Sequence, residues 1–395
     1  MSNTDWSKSF DDINSLLTQT RQYWQISPFS CLELPWAFNL KLQESLLSLT
    51  DEMLDQLDNS DKKLRQFIEP LISLKLNIID DLPLKETMIK PIPAYFKAGI
   101  KGRKWSQIEK FEALLPTKGQ AIVEWCSGKG HLGRLINLNR KNNVTSLEWQ
   151  QNLCQQGTLL ATKYNIDQQF FEANAFDPEV IHILKPSQHI VALHACGDLH
   201  TTLLQHSAKQ QVSGLSIAPC CYHLTRSTHY QPLSDAAKKS DLRLSHQDLN
   251  LSMQQTVVAK NRNKKYRMIE VAWRLGFDLL QRQLRQTNEY LPLPSIKQSL
   301  LTGTFKDFCY WACEIKELSL ATDVSFSYYE HQGYQRQLQN KRIEIVTHAF
   351  RQLIERWLLL DRVIFMEEQG YDVSLFNFCE SKITPRNAMI QAIKK

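Results

Sequence analysis

VEWCSGKGHLGRL, residues 123–135, sets three of the chain's 13 glycines within six positions, directly after a short apolar run. Such a stretch reads as a strand running into a tight loop and then a helix, with backbone exposed to a ligand at the turn. A phosphate-cradling Walker loop needs Lys followed by Ser or Thr, and here Lys129 is followed by Gly130, so that reading fails. The dinucleotide fingerprint GxGxxG is matched by Gly128, Gly130 and Gly133, with Glu148 as a ribose carboxylate further on. That match alone is weak, and the flanking sequence has to decide.

Downstream of the loop the chain alternates. AIVEWC (121–126), VTSLE (144–148), QQFFEA (168–173), HIVALHA (189–195) and VSGLSIAP (212–219) read as five buried strands with helix-length segments between them. This alternation predicts a doubly wound α/β fold, a mostly parallel sheet with helices on both faces. From about 225 to 370 the spacing turns helical, with Gly370 as a natural stop, and reads as a large helical insertion. YDVSLFNF (371–378) and NAMIQAI (387–393), separated by ESKITPR, return to strand character and would close the sheet as an antiparallel pair.

Upstream, apolar spacing from Phe10 to Leu82 is helical, with Asp11 and Asp12 placed to favour a helix start. The proline-rich DDLPLKETMIKPIP ends that region. The expected organisation is a helical N-terminal region over 1–95 and a catalytic domain over 96–395 that carries the insertion.

A parallel sheet ending in an antiparallel pair is what an S-adenosylmethionine methyltransferase requires, and the loop fits that cofactor better than a dinucleotide. Glu124 lies four residues before Gly128, where a carboxylate suits an ammonium rather than a pyrophosphate. Glu148 ends the second strand, where a carboxylate can accept both ribose hydroxyls. NAFD, with Asn174 and Asp177, follows the third strand, where an amide or carboxylate can meet the adenine amino group.

Strands four and five end in HACGDLH (194–200) and APCCYH (218–223). Together with the glycine loop, YQPLSD (230–235), YRMIE around Arg267, GTFKDFCYW (303–311) and ITPRNAMIQA (383–392), these motifs resemble the methyltransferase-domain family that contains the eukaryotic methyltransferase-like twenty-five proteins. They are more remotely similar to the tRNA 2′-O-methyltransferase of the acceptor stem. The resemblance covers roughly residues 95–395. It implies a Rossmann-like methyltransferase sheet and S-adenosylmethionine as cofactor, with contacts at Glu124, Cys126, Gly128, Gly130, Glu148, Asn174, Ala175 and His194. It also implies that HACGD and CCYH line the reaction pocket. The Cys/His zinc module of the tRNA enzyme is absent from this sequence.

At the carboxyl ends of strands four and five, Cys196 and Asp198 should face Cys220, Cys221, Tyr222 and His223. Methyl transfer from a sulfonium needs an aligned acceptor and removal of its proton. His223 is the candidate base, because imidazole titrates near neutrality. Tyr222 would stack on a base or plug the pocket. A metal site built from Cys196, Cys220, Cys221 and His223 is disfavoured, since successive side chains on a strand point to opposite faces. No DPPY or NPPY follows strand four, which disfavours exocyclic amines as acceptors.

The net charge of +6 is uneven: residues 1–90 carry −5 and the remainder +11. Two acid-free runs concentrate it, Lys97, Lys101, Arg103 and Lys104 in KAGIKGRK, and Lys260, Arg262, Lys264, Lys265 and Arg267 in KNRNKKYR. Such runs suit phosphate contacts, which points to structured RNA, rRNA or tRNA, as the substrate. Protein methylation, with the helical N-terminus as docking element, and a non-catalytic RNA-binding role with a relict cofactor pocket are the alternatives. Without a signal-like start, a long apolar stretch or paired-cysteine spacing, the chain is expected to be cytoplasmic and reduced, with no membrane partner.

Overall fold

The structure, a computed structural model, describes residues 5–117, 119–254, 261–321 and 323–395. Lys260 of the second basic run lies outside the described residues, as do the side chains of Arg262 and Lys264. The chain forms two compact units. One comprises Met1–Gln19, Ile78–Val257 and Leu353–Lys395, the other Thr20–Asn77 and Val258–Gln352. Among the described residues no helix is long and apolar enough to cross a membrane.

The first unit is built on a seven-stranded sheet: β1 (Ile122–Trp125), β2 (Val144–Glu148), β3 (Gln168–Glu172), β4 (His189–Cys196), β5 (Gly214–Cys220), β6 (Tyr371–Asn377) and β7 (Ala388–Lys394), in the order β3-β2-β1-β4-β5-β7-β6. The first five strands are parallel, and β7 runs antiparallel to both β5 and β6. β1 and β5 are buried at every position, as expected of strands covered on both faces, whereas β6 alternates along its first four residues as an edge strand does. The doubly wound sheet with its C-terminal antiparallel pair is therefore the one the sequence predicts. Its order reverses between β1 and β4, and the crevice at such a switch point, outside the carboxyl ends, is where this architecture holds ligands.

Helix Gly102–Ala113 covers one face, with Trp105, Ile108 and Phe111 packed in one cluster with Ile122, Val191, Leu193, Phe376 and Met389. This cluster packs the helix against the start of β1 and the middle of β4. The N-terminal helix Trp6–Gln19 belongs to the same unit. Asp5, rather than Asp11 or Asp12, caps it, accepting the Lys8 N–H at 3.0 Å. Phe10 packs on Trp357 at 5.3 Å between ring centroids, and Asn14 accepts hydrogen bonds from Trp357 Nε1 and Ser240 Oγ.

The second unit joins the rest of the helical N-terminus to the insertion. Helix Phe326–His348 packs against helices Asn261–Arg285, Asp51–Asp58 and Asp61–Ile72. Asp278, fully buried, accepts hydrogen bonds from Arg282 at 2.9 Å and Arg336 at 2.8 Å. The expected boundary at residue 95 is thus corrected. Residues 20–77 pack with a segment nearly two hundred residues away, a long-range pairing that helical spacing does not encode.

Candidate active site

The glycine loop leaves β1 through Cys126, Gly128 and Gly130, at φ of +55°, +58° and +63°. Glycine adopts this left-handed region freely, and cysteine does so only under constraint. Space demands Gly130 as well, because a β-carbon there would collide with Gln168 and Phe170. Helix His131–Arg140 begins at the next residue, so the loop and first turn present backbone N–H groups together.

Glu148 fixes this loop. Buried at the end of β2, it accepts the Gly128 N–H through Oε2 at 2.8 Å and the Gln150 N–H through Oε1 at 3.0 Å. A carboxylate has about four acceptor positions, so two hydroxyl donors can still be met. Trp149, the next residue, is 68% exposed. Sequence spacing gives it no role, although a large ring directly after a strand-end carboxylate is a poor choice for a solvated turn.

Glu124 lies beneath the loop. Its carboxylate, 4% exposed, accepts Ser146 Oγ at 2.7 Å, Gln168 Nε2 at 3.4 Å and the Gly133 N–H. Burial pushes its pKa up to about 7. These partners hold the carboxylate at the strand end before the glycine loop. His131 at the helix start accepts from Arg134 at 2.6 Å, and burial, then the charges of Arg134 and Lys104, hold its pKa down near 3, so it is neutral. After β3, Asn174 is exposed and accepts the Phe176 N–H at 3.1 Å, Ala175 is buried and Asp177 is exposed.

The carboxyl ends of β4 and β5 enclose a cavity of about 260 Å³. Its wall includes His194, Cys196, Cys220, Cys221, Thr384 and Arg386. His194 turns to φ +74°, and the β4–β5 register shifts between Leu193 and Cys196. Cys221 leaves the strand at φ +50°. The expectation that adjacent cysteines cannot converge is corrected by that turn: the sulfurs of Cys196, Cys220 and Cys221 lie within 4.8 Å of one another. All nine cysteines are free thiols.

Of the expected catalytic residues, Cys196 lines the cavity and the others do not. Asp198 opens helix Asp198–Lys209 and ties down the loop after β5, accepting the Arg226 N–H at 2.7 Å and Thr225 Oγ1 at 3.2 Å. His223 is half-buried, its Nδ1 has no hydrogen-bond partner, and its carbonyl accepts from His246 at 3.0 Å. Tyr222 is 2% exposed and packs on His200 and Arg362, so the stacking or plugging role expected of it is corrected to a core position.

YQPLSD finds its reason in the same core. Arg362 Nε donates to His200 Nε2 at 2.9 Å, which leaves His200 Nδ1–H to donate to the Ala195 carbonyl at the end of β4. Arg362 also donates to Tyr230 Oη, and Tyr230 donates to Asp361 at 2.5 Å. Asp361 accepts the Leu233 and Ser234 N–H groups and Ser234 Oγ besides. This satisfied network anchors β4 and the segment after β5 from behind the cavity. The TPRN motif is explained more directly, since Thr384 and Arg386 reach the cavity from the β6–β7 connection.

Residues 103–228 match a protein family described as a methyltransferase domain. Among solved structures, the chain is similar to the Pyrococcus abyssi tRNA (uracil-54, C5)-methyltransferase bound to S-adenosyl-L-homocysteine, at 19% identity and TM-score 0.24, over 28% of this chain and 27% of that one. It is similar to M. capricolum TrmK with S-adenosyl-homocysteine at 13% identity and TM-score 0.24, over 28% and 50%. The Synechocystis magnesium protoporphyrin IX methyltransferase, also with bound S-adenosyl-homocysteine, overlaps 78% of this chain and 90% of that one, at 7% identity and TM-score 0.33. The chain thus spans about a quarter to a half of the first two. Residues 103–228 are the part of the chain that matches a methyltransferase domain.

Proposed function

We propose that the protein transfers a methyl group from S-adenosylmethionine to a structured RNA. Lys104 carries this reading. It lies close enough to the glycine loop and to the cavity for its charge to act on both His131 and His194. Lys97, Lys101 and Arg103 of the same run are exposed with it. A row of cations at the edge of a cofactor site suits a polyanion whose phosphates flank the reacting nucleotide. Of the second run, Lys265 and Arg267 are exposed on helix Asn261–Arg285 of the other unit.

The chemistry follows from the pocket. Glu148 and the glycine loop hold the cofactor's ribose and adenosine, with Trp149 beside them. His194 is the cavity-lining imidazole, and desolvation, then the Lys104 charge, lower its pKa, which keeps the ring in its neutral, proton-accepting form while weakening it as a base. An acceptor hydroxyl loses its proton to that ring as the new bond to the methyl carbon forms and the sulfonium bond breaks. The expected base, His223, stands outside the cavity wall. Nucleoside mass spectrometry of RNA from a strain lacking the protein tests the proposal. One methylated nucleoside should disappear and return on complementation, and an unchanged nucleoside profile would contradict it.

A further inference from the structure

We propose that Cys196, Cys220 and Cys221 together bind one zinc ion, leaving a fourth position open to the cavity. The three sulfurs lie within 4.8 Å of one another, and Cys196 Sγ and Cys220 Sγ are 3.5 Å apart. In a tetrahedral thiolate site with zinc–sulfur bonds of about 2.3 Å, sulfurs sit about 3.8 Å apart, so the observed triangle needs side-chain shifts of at most about one ångström. Neighbouring strands supply two of the ligands in register, Cys196 opposite Cys220.

The third ligand needs the chain to break strand geometry, and it does. Cys221 at φ +50° swings its side chain to the face that Cys220 already occupies, while the bulge before Cys196 and φ +74° at His194 reshape the end of β4. Non-glycine residues in this region cost about 1–3 kcal/mol each and persist where the surroundings enforce them. Two small core residues need no such turn. Cys221 is not a core residue either: it is half-buried and, like the other two, lines the cavity.

Three protein ligands and an open position facing a cavity are the arrangement of a catalytic rather than a structural zinc. Zinc with three thiolates carries one net negative charge, and Arg386 in the same cavity wall offsets it. The open position takes water, or the hydroxyl or thiol of an acceptor, and the zinc lowers the pKa of a group bound there, with the released proton passing to solvent. The site stands on the sulfurs alone and holds whichever acceptor class the enzyme uses.

The full chain, purified under reducing conditions without a metal-affinity tag, should retain about one zinc per molecule by elemental mass spectrometry. Cys220→Ser/Cys221→Ser should lower that content at least tenfold, and Cys31→Ser, in the other unit, should leave it unchanged. Because the double variant can lose zinc by misfolding, cobalt exchange into the unmutated chain gives a second readout. Thiolate-to-cobalt charge-transfer bands and tetrahedral visible bands are expected. A chain that takes up no zinc when offered it, a cobalt spectrum without thiolate bands, or a Cys196–Cys220 disulfide in the reduced preparation would each overturn the proposal.

Discussion

The Glu148 carboxylate accepts the Gly128 backbone N–H at 2.8 Å, so the end of β2 holds the glycine loop of β1 in place. One side chain therefore shapes the loop, and in the proposed function it also meets the ribose. Glu148→Gln keeps the shape of the side chain but loses its charge, and one of its polar atoms becomes a donor. Charge-assisted hydrogen bonds contribute about 1.5–3 kcal/mol, so S-adenosylmethionine affinity measured by calorimetry should fall about 10- to 100-fold. Gly130→Val, which adds a branched side chain where Gln168 and Phe170 leave no room, should abolish binding. Unchanged affinity in both variants would remove the cofactor from this loop.

Glu124 gives a pH dependence of stability. Burial raises its folded-state pKa from 4.5 to about 7, so between these values the folded protein holds a proton that the unfolded chain has released. The stabilisation is full below about pH 4.5 and is lost as pH rises through 7, amounting to about 3 kcal/mol by pH 8. Urea unfolding of Glu124→Gln should show a stability curve flatter than that of the unmutated protein between pH 5 and 8. Parallel curves would mean that the carboxyl titrates normally.

Two histidines compete for the role of base, and position separates them. His194 lines the cavity and His223 does not. His194→Ala should lower turnover by the 10²- to 10⁴-fold typical of a missing general base. His223→Ala should have the smaller effect. The reverse order would return the role to His223.

The basic run beside the site should show itself in salt dependence. Replacing Lys101, Arg103 and Lys104 with Gln should weaken RNA binding and lower the slope of log affinity against log salt by about 0.7–0.9 for each phosphate no longer neutralised. Cofactor affinity should stay the same. A slope unaffected by the substitutions would place the RNA elsewhere.

What could be read from the sequence was local. Strand starts such as Val144 and His189 are legible because apolar runs bounded by turns need no distant information, and Glu148 is legible because it ends one of them. Cys221 and Tyr222 depart from expectation for one reason. Strand alternation predicts where a side chain points only while the chain remains a strand, and it ceases to be one at Cys220. Arg386 and Thr384 join the cavity from the far end of the sequence, and the pairing of residues 20–77 with the insertion is equally distant. The YQPLSD motif is unusual as a sequence, but its partners Arg362 and Asp361 sit in a helical stretch that reads as apolar core.

The proposed activity is methyl transfer to RNA. Purified protein, S-adenosylmethionine labelled in the methyl group, and RNA from a strain lacking the protein test it in one assay, with digestion of the RNA to nucleosides as the readout. Label is expected in a single methylated nucleoside, absent with Gly130→Val and absent when RNA from the complemented strain is the substrate. Label in added protein instead, or none in either polymer while the cofactor binds, would contradict it.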